Sequence, residues 1–222
     1  MKIGTVTIGQ SPRSDIIPEL SSAIGTQVEI IERGALDGLT REEIDLLAPA
    51  ENDYLLVSRL RDGGEVRLAE RHIIERLKRQ VRELESEAVD LIILLCTGEF
   101  PDLTASCPVL KPDLLLTHVI AGIMQEGTLG FIVPAAEQRE AMRPKWERTG
   151  LPVVSAAASP YSAGGEELAA AARAVRDAKA DLIVLDCLGF GLQHARIVRQ
   201  QAGLPVVVPR TLLGRIAAEL LL

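Results

Sequence analysis

Apolar residues follow two patterns that alternate along the chain. Short continuous runs of Val, Ile and Leu are typical of parallel strands that are buried on both faces. Longer segments with an apolar residue every three or four positions are typical of amphipathic helices. The runs predict strands at 2–8, 27–32, 90–96, 128–133, 152–156, 181–187 and 205–208. The helical spacing predicts helices at 14–24, 69–88, 114–125, 137–148, 162–178, 191–201 and 211–222.

Three segments depart from this alternation. The stretch 53–68 contains Asp62-Gly-Gly64 between two apolar runs, which predicts an antiparallel hairpin. Thr40-Arg-Glu-Glu43 has the capping-box pattern that begins a short helix. A connection punctuated by prolines over 101–112 contains Cys107, which we interpret as structural, and we expect it to be the crossover between two halves of the chain.

The order of predicted elements is duplicated. The strand–loop–helix order that begins at Ile3 begins again at Leu129. Because strands alternate with helices, the expected fold class is α/β with parallel sheets. We predict two pseudo-symmetric α/β lobes with a cleft between them. The first lobe spans 1–112 plus 209–222 and carries the hairpin as an insertion, and the second lobe spans 113–208.

One predicted strand in each half ends in a cysteine. Asp90-Leu-Ile-Ile-Leu-Leu-Cys96 and Asp181-Leu-Ile-Val-Leu-Asp-Cys187 both open with Asp-Leu-Ile. Two residues after each cysteine comes a glycine, Gly98 or Gly189, which lets the backbone turn sharply. Ligands of open α/β sheets bind beyond the carboxyl ends of the strands. We therefore expect both thiols at the mouth of one site.

Two hypotheses account for the paired cysteines. Free cysteine is among the most buried residue types, so both thiols fit a structural role. The alternative is acid/base chemistry in which Cys96 and Cys187 act on opposite faces of a flat carbanion. One thiolate removes a proton from a carbon beside a carbonyl, and the other thiol returns one. A thiolate near neutral pH requires backbone N–H groups or a cation that lower the thiol pKa below ~8.5.

The loop formed by Gly9, Gln10, Ser11, Pro12 and Arg13 is the second candidate. It lies between a buried strand and a helix start, where backbone N–H groups bind anions. A hydroxyl and a guanidinium in this loop suit a carboxylate or a phosphate. The alternative is a solvated loop. The other predicted substrate-binding residues are Arg59, Thr97, Gly98, Glu99, Pro134, Leu188, Gly189 and His194.

Composition narrows the function class. A formal net charge of −7 argues against nucleic-acid binding, which requires a basic face. The N-terminus lacks a signal-peptide pattern, and no apolar run approaches the ~20 residues of a membrane span. Three cysteines without a CxxC motif fit a reducing cytoplasm. The histidines His72, His118 and His194 lack metal-ligand spacing, so we predict a cytoplasmic protein without a metal.

Four motifs spread over the chain resemble the AroM family. They are Thr7-Ile-Gly-Gln-Ser-Pro-Arg13, Ser58-Arg-Leu-Arg-Asp-Gly63, Leu185-Asp-Cys-Leu-Gly-Phe190 and Leu213-Gly-Arg-Ile-Ala-Ala-Glu-Leu-Leu221. The family takes its name from an association with aromatic amino-acid genes, and no settled activity comes with the resemblance.

The paired cysteines are similar, more distantly, to those of the aspartate/glutamate racemase superfamily, which includes hydantoin racemases and arylmalonate decarboxylases. This resemblance implies two α/β lobes that each give one catalytic cysteine, with no cofactor. It implies that Cys96 and Cys187 are the acid/base pair, with Ser11, Thr97 and Gly189 near a substrate carboxylate. The chain departs from the superfamily pattern where Leu188 follows the second cysteine. Such a departure suits a decarboxylase or isomerase that retains one functional thiol.

We carry two hypotheses of function forward. The first is a cofactor-independent racemase, isomerase or related lyase that acts on a small carboxylate or hydantoin-like compound. The second is a non-catalytic protein that binds a small anion or regulates aromatic amino-acid metabolism. In both, the expected partner is a small anionic metabolite rather than a nucleic acid or a membrane, and a homodimer is one assembly that we consider.

Overall fold

The structure is a computed structural model of the protein, and it describes residues 1–25, 27–100, 103–162 and 164–221. The first two residues of the predicted connection, one residue of the predicted helix at 162–178 and the last residue of the chain lie outside the described residues. The chain divides into two compact units, Met1–Pro112 with Leu213–Leu222 and Asp113–Leu212.

The first unit contains a parallel sheet, a hairpin and three helices. In chain order its elements are β1 (Lys2–Thr7), α1 (Ile17–Ile24), β2 (Glu29–Gly34), α2 (Arg41–Asp45), β3 (Leu55–Arg59), β4 (Glu65–Ala69), α3 (Glu70–Ser86), β5 (Leu91–Leu94) and β6 (Val109–Leu110). The sheet order is β2-β1-β5-β6, with every neighbouring pair parallel. Strands β3 and β4 form the antiparallel hairpin that the glycine pair predicts.

The second unit contains a parallel sheet and its helices. The elements are α4 (Pro112–Ile123), β7 (Leu129–Val133), α5 (Gln138–Glu147), β8 (Val153–Ala157), α6 (Gly165–Asp177), β9 (Leu182–Leu185), α7 (Leu192–Ala202), β10 (Val206–Val207) and α8 (Pro209–Leu220). The sheet order is β10-β9-β7-β8, again with parallel neighbours. The chain returns to the first unit within α8, where a β-carbon on Gly214 would lie 2.6 Å from Ala23 Cβ of α1.

The two sheets have the same topology. If the hairpin is set aside, each sheet places its strands in the order second, first, third, fourth along the chain. The match extends to single hydrogen bonds at the end of the third strand. The Leu95 N–H donates to the Val6 carbonyl at 2.7 Å, and the Asp186 N–H donates to the Ile132 carbonyl at 2.8 Å. Each cysteine is the next residue, so the duplication predicted from the sequence is present in the structure.

Aliphatic side chains build both cores. In α3, Ile73, Leu77, Val81 and Leu84 recur at helical spacing and are buried. The strands β5, β7 and β9 are buried at every position, which is why they read as continuous apolar runs. The predicted α/β class with parallel sheets is therefore confirmed.

Two details differ from the sequence predictions. Strand β6 lies within the segment predicted as a plain connection, because two paired residues are too few to produce a hydrophobic pattern. Helix α1 begins at Ile17 rather than at residue 14. Pro18 favours this start, since proline lacks the N–H that a first turn leaves unpaired. The capping box of α2 is confirmed by reciprocal bonds between Thr40 and Glu43.

Among the described residues, no helix combines the length and the apolar character that crossing a bilayer requires.

Candidate active site

Both cysteines lie in the same kind of turn. The Gly98 N–H donates to Cys96 Sγ at 3.4 Å, and the Gly189 N–H donates to Cys187 Sγ at 3.3 Å. Each turn folds back because the glycine two residues on brings its own N–H over the sulfur. A backbone N–H that donates to sulfur favours the thiolate over the thiol. The repeated Cys-x-Gly pattern thus produces a repeated sulfur environment.

A buried arginine donates two hydrogen bonds to the second turn. Arg210, in the first turn of α8, is 3% exposed. Its Nε donates to the Leu188 carbonyl at 2.9 Å, and its Nη2 donates to the Gly189 carbonyl at 2.6 Å. On the other side of the turn, the Phe190 N–H donates to the Cys187 carbonyl at 3.2 Å. The carbonyl groups of Cys187, Leu188 and Gly189 therefore all accept hydrogen bonds.

A tyrosine reaches the sulfur of the second turn. Tyr161, in the loop after β8, places its hydroxyl oxygen 3.7 Å from Cys187 Sγ. A β-carbon on residue 189 would lie 2.5 Å from that hydroxyl oxygen and 2.7 Å from Pro160 Cγ. Glycine is required at position 189 because the phenol occupies the space that a side chain would take.

The carboxylate next to Cys187 is engaged elsewhere. Asp186 is 3% exposed, and its Oδ1 accepts from Lys145 Nζ at 2.6 Å while its Oδ2 accepts from Trp146 Nε1 at 2.7 Å. Both donors come from α5, and the side chains of the Lys145–Asp186 pair are fully buried. Alternate residues of an extended segment point to opposite faces. Asp186 therefore joins α5 to the segment that follows β9.

The first turn is followed by an acidic residue. Cys96 is followed by buried Thr97 and Gly98 and then by half-buried Glu99. Burial and, after it, the negative charge of Glu99 raise the pKa of Glu70 at the start of α3. Two carboxyl groups thus lie near each other beside this turn.

The Gly9 loop packs closely against the hairpin. The Gln10 N–H donates to the Arg59 carbonyl at 3.3 Å, and Gln10 Oε1 accepts from the Arg61 N–H at 2.9 Å. A β-carbon on Gly9 would collide with the Arg59 carbonyl and with Ser58 Oγ. The absence of a side chain at residue 9 is what allows β1 and the hairpin to meet.

Ser11 is held by an aspartate. Its N–H donates to Asp37 Oδ1 at 2.8 Å and its Oγ donates to Asp37 Oδ2 at 2.5 Å. The same carboxylate accepts from the Gly34 N–H at 2.8 Å. Arg61 Nη2 lies 3.6 Å from Asp37 Oδ1. Asp37 therefore fixes the loop in the way that a bound anion would, and its role was not predicted.

Arg13 is buried and engaged inside the first unit. It is 2% exposed, and its Nε and Nη2 donate to Asp15 Oδ1 and Oδ2 at 2.9 and 2.8 Å. Its Nη1 donates to Thr7 Oγ1 at 2.9 Å. Arg59 Nη1 lies 3.6 Å from Asp15 Oδ1, so two guanidinium groups share one carboxylate. That Arg13 and Arg59 contact a substrate stays a prediction.

This pair predicts a specific acid sensitivity. Burial raises the pKa of Asp15, but the hydrogen bonds and charge of Arg13, with the charge of Arg59, outweigh burial and hold the pKa below its usual value. The stabilisation is therefore present above the usual carboxyl pKa and is lost as pH falls through the lowered one. We expect Asp15→Asn to reduce the free energy of unfolding by about 1–3 kcal/mol at neutral pH.

Urea unfolding at a series of pH values measures this effect. The difference between the wild type and Asp15→Asn should narrow as pH falls below about 4, because the carboxyl group becomes protonated first in the unfolded chain, which favours unfolding. The stabilisation is lost once pH falls through the lowered pKa of the folded protein. Asp45→Asn, in the exposed pair with Arg41, is the control and should change stability by less than about 1 kcal/mol. A difference for Asp15→Asn that stays constant with pH would contradict the assignment.

The remaining predicted residues lie in the second unit. Pro134 directly follows β7 and is buried. His194, in the first turn of α7, accepts from the Gly191 N–H through Nδ1 at 2.9 Å, and its ring meets Phe190 edge-on at a centroid distance of 5.5 Å. It also lines a pocket of about 150 Å³ at the first turns of α6 and α7. Its described contacts make it a capping residue of α7.

Within each unit, two of the predicted segments lie at one edge of the parallel sheet. In the first unit the Gly9 loop follows β1 and the Cys96 turn follows its neighbour β5. In the second unit Pro134 follows β7 and the Cys187 turn follows its neighbour β9. Sequence reasoning missed Arg210 and Tyr161, although each follows a strand of the same parallel sheet. Because the carboxyl ends of parallel strands share one edge of the sheet, the segments after β8 and β10 could have been searched for further site residues.

Comparisons with known proteins agree on the fold. The model of the AroM family, described as AroM protein, matches residues 3–221. A search of the curated proteins found no match. Among solved structures, glutamate racemase from Francisella tularensis subsp. tularensis SCHU S4, in complex with D-glutamate, is 14% identical with a TM-score of 0.64, over 99% of this chain and 80% of that one.

Two further solved structures are of enzymes that are named for other reactions. Arylmalonate decarboxylase is 15% identical with a TM-score of 0.60, over 99% of this chain and 91% of that one. The maleate isomerase Iso from Pseudomonas putida S16 is 14% identical with a TM-score of 0.56, over 99% and 93%. These likenesses show the fold of the aspartate/glutamate racemase superfamily, as the paired cysteines predicted. Since the family model spans nearly every residue, the chain belongs to the AroM protein family.

Proposed function

We propose that this protein is a cofactor-independent racemase, isomerase or related lyase that uses Cys96 and Cys187 as an acid/base pair. The observation that carries the proposal is the duplicated sulfur environment. Each thiol follows the third strand of its sheet and accepts the N–H of the glycine two residues on. A backbone N–H that donates to sulfur favours the thiolate, so the shared bond supports ionisation at either cysteine.

The proposed reaction removes one proton from a carbon next to a carbonyl and then adds one proton to the same carbon. The thiolate takes the proton, the C–H electron pair passes into the carbonyl to form an enolate, and the other thiol donates its proton to the opposite face of that carbon. Protons and charge balance without an oxidant or a metal. If the bond that breaks is to a carboxylate rather than to hydrogen, carbon dioxide leaves and one thiol suffices.

The substrate class is a small carboxylate or hydantoin-like compound. Thr97, Gly98 and Gly189 are the residues that we assign to the carboxylate, because they lie in the turns with the reacting sulfurs. Ser11, Gly9 and Gln10 shape the neighbouring loop. The structural neighbours glutamate racemase, arylmalonate decarboxylase and maleate isomerase are all named for small carboxylates. The choice among these reactions follows from side chains and not from the fold.

Deuterium exchange tests the proposal directly. The protein is incubated in deuterated buffer with a panel of amino acids, substituted malonates, unsaturated dicarboxylates and hydantoins. We expect proton NMR to show loss of the Cα–H signal, or decarboxylation or isomerisation, for at least one class. The double variant Cys96→Ser/Cys187→Ser, with an unchanged circular dichroism spectrum, is the control and should show none.

The second candidate is a non-catalytic protein that binds a small anion. One observation favours it: both thiols are almost buried, Cys96 at 9% and Cys187 at 8% exposure, as structural cysteines are. Members of the same panel would then raise the melting temperature without any exchange or turnover. That result would overturn the acid/base proposal and support the binding function.

A further inference from the structure

The second cysteine turn is surrounded by groups that favour negative charge on its sulfur. Tyr161 brings a phenol to 3.7 Å from Cys187 Sγ. The loop that carries it is held by Ser159, whose Oγ accepts the Tyr161 N–H at 3.0 Å. A phenol O–H is a better donor to a thiolate than to a thiol, since charge on the acceptor strengthens a hydrogen bond. Either atom can donate in this contact when the sulfur is a thiol, whereas a thiolate can only accept from the phenol.

Arg210 acts on the same sulfur through a peptide group. The Leu188 carbonyl and the Gly189 N–H belong to one planar trans peptide, so they point in opposite directions. Arg210 Nε holds the carbonyl at 2.9 Å, which directs the N–H to Cys187 Sγ at 3.3 Å. The buried guanidinium also polarises that peptide, and polarisation along a chain of hydrogen bonds strengthens the terminal bond.

The other charged groups of this region are already engaged. Asp186 precedes the cysteine, but its carboxylate is neutralised by Lys145 Nζ at 2.6 Å. The His194 ring accepts the Gly191 N–H through Nδ1. The first turn differs, because it carries the carboxyl group of Glu99, close enough to Glu70 to raise the pKa of that residue. Negative charge beside a thiol disfavours its ionisation.

We propose that Cys187 is the thiolate of the resting protein and Cys96 is the protonated partner. Tyr161 donates directly to the reacting sulfur, and Arg210 is a positioning residue that acts through the Leu188–Gly189 peptide. The assignment deepens the proposed acid/base function and rests on it. The thiolate of Cys187 removes the substrate proton, and the S–H of Cys96 supplies the proton to the opposite face.

Alkylation by iodoacetamide, followed at each cysteine by mass spectrometry between about pH 6 and about pH 9, tests this assignment without a substrate. We expect Cys187 to react at neutral pH at least about fivefold faster than Cys96, with a lower midpoint in its pH–rate profile. Tyr161→Phe removes one oxygen atom and should move that midpoint upward. It should lower the rate at neutral pH by up to about fivefold, the factor expected for one hydrogen bond.

Arg210→Lys keeps the charge but not the two-armed geometry, and it should move the Cys187 midpoint in the same direction. The matched controls are Tyr54→Phe and Arg199→Lys. Tyr54 lies in the first unit, and Arg199 donates to the Val206 carbonyl at 2.9 Å rather than to the turn. Neither control should move the midpoint of Cys187. An unchanged circular dichroism spectrum and melting temperature of each variant would exclude a general loss of packing as the cause of a shift.

Each outcome bears on one proposal. A Cys187 midpoint at or above that of Cys96, or one that Tyr161→Phe leaves in place, overturns the thiolate assignment. A shift with Tyr161→Phe but none with Arg210→Lys overturns the role of Arg210. The alkylation order can be as expected while members of the panel bind without exchange or turnover. In that case the acid/base function is overturned, and the assignment of the thiolate to Cys187 is retained.

Discussion

Serine in place of Cys187 is expected to reduce substrate Cα–H exchange by at least about a hundredfold, the contribution typical of a general acid or base. The hydroxyl is nearly the size of the thiol and can accept the same Gly189 N–H, so the turn should keep its shape. A serine hydroxyl does not ionise near neutral pH, however, and cannot remove a proton from carbon. Proton NMR in deuterated buffer, with the substrate class found in the panel, measures the loss.

The companion variant Cys96→Ser separates the possible reactions. Loss of exchange in both variants supports one proton donor and one acceptor on opposite faces. Loss in only one supports a single-thiol reaction, such as a decarboxylation that needs one proton donor. Cys107→Ser is the control, since that cysteine lies outside both turns and burial raises its pKa. Full exchange in both Cys96→Ser and Cys187→Ser would end the cysteine mechanism.

The largest effect on stability is expected from Lys145→Met. The Lys145–Asp186 pair is fully buried, and removal of the ammonium group leaves a carboxylate with the Trp146 indole N–H as its described side-chain donor. Removing one partner of a buried ion pair costs about 3–5 kcal/mol. Urea unfolding of the wild type and the variant at neutral pH measures the change in the free energy of unfolding.

A double variant distinguishes the lost charge from lost packing. Lys145→Met/Asp186→Asn removes both charges and keeps an oxygen that accepts the indole N–H of Trp146. We expect it to be more stable than Lys145→Met alone, because no uncompensated charge is left buried. A double variant that is no more stable than the single one would show that the uncompensated carboxylate does not account for the effect. Arg173→Met, in an exposed pair with Glu166, should cost less than about 1 kcal/mol.

The fold and the position of both thiols were predictable because they depend on residues that are close together in the sequence. A run such as Leu91–Leu94 is apolar at every residue because a parallel strand is covered on both faces, and such a run is legible in the sequence alone. The cysteine and glycine that follow Leu94 and Leu185 lie within the same few residues, so their turn is local too. Two-residue strands such as β6 carry no such signal.

The partners of the charged side chains were not predictable. The sequence predicts that Ser11 and Arg13 bind an anion. In the structure they donate hydrogen bonds to the carboxylates of Asp37 and Asp15. Arg13 and its carboxylate are two residues apart, but nothing in that spacing says that the pair is buried. Ser11 and Asp37 are 26 residues apart and meet only because β1 and β2 pair in parallel.

By itself, the sequence determined an α/β chain with a duplicated strand order and one Cys-x-Gly turn in each half, because hydrophobic periodicity and glycine turns are local properties. Only the tertiary structure decided which groups act on each sulfur. Tyr161 contacts Cys187 from 26 positions away, Arg210 donates to Leu188 from 22, and Lys145 donates to Asp186 from 41. The reason is physical: a side chain finds its partner through packing of whole strands and helices, and spacing along the chain does not encode that packing.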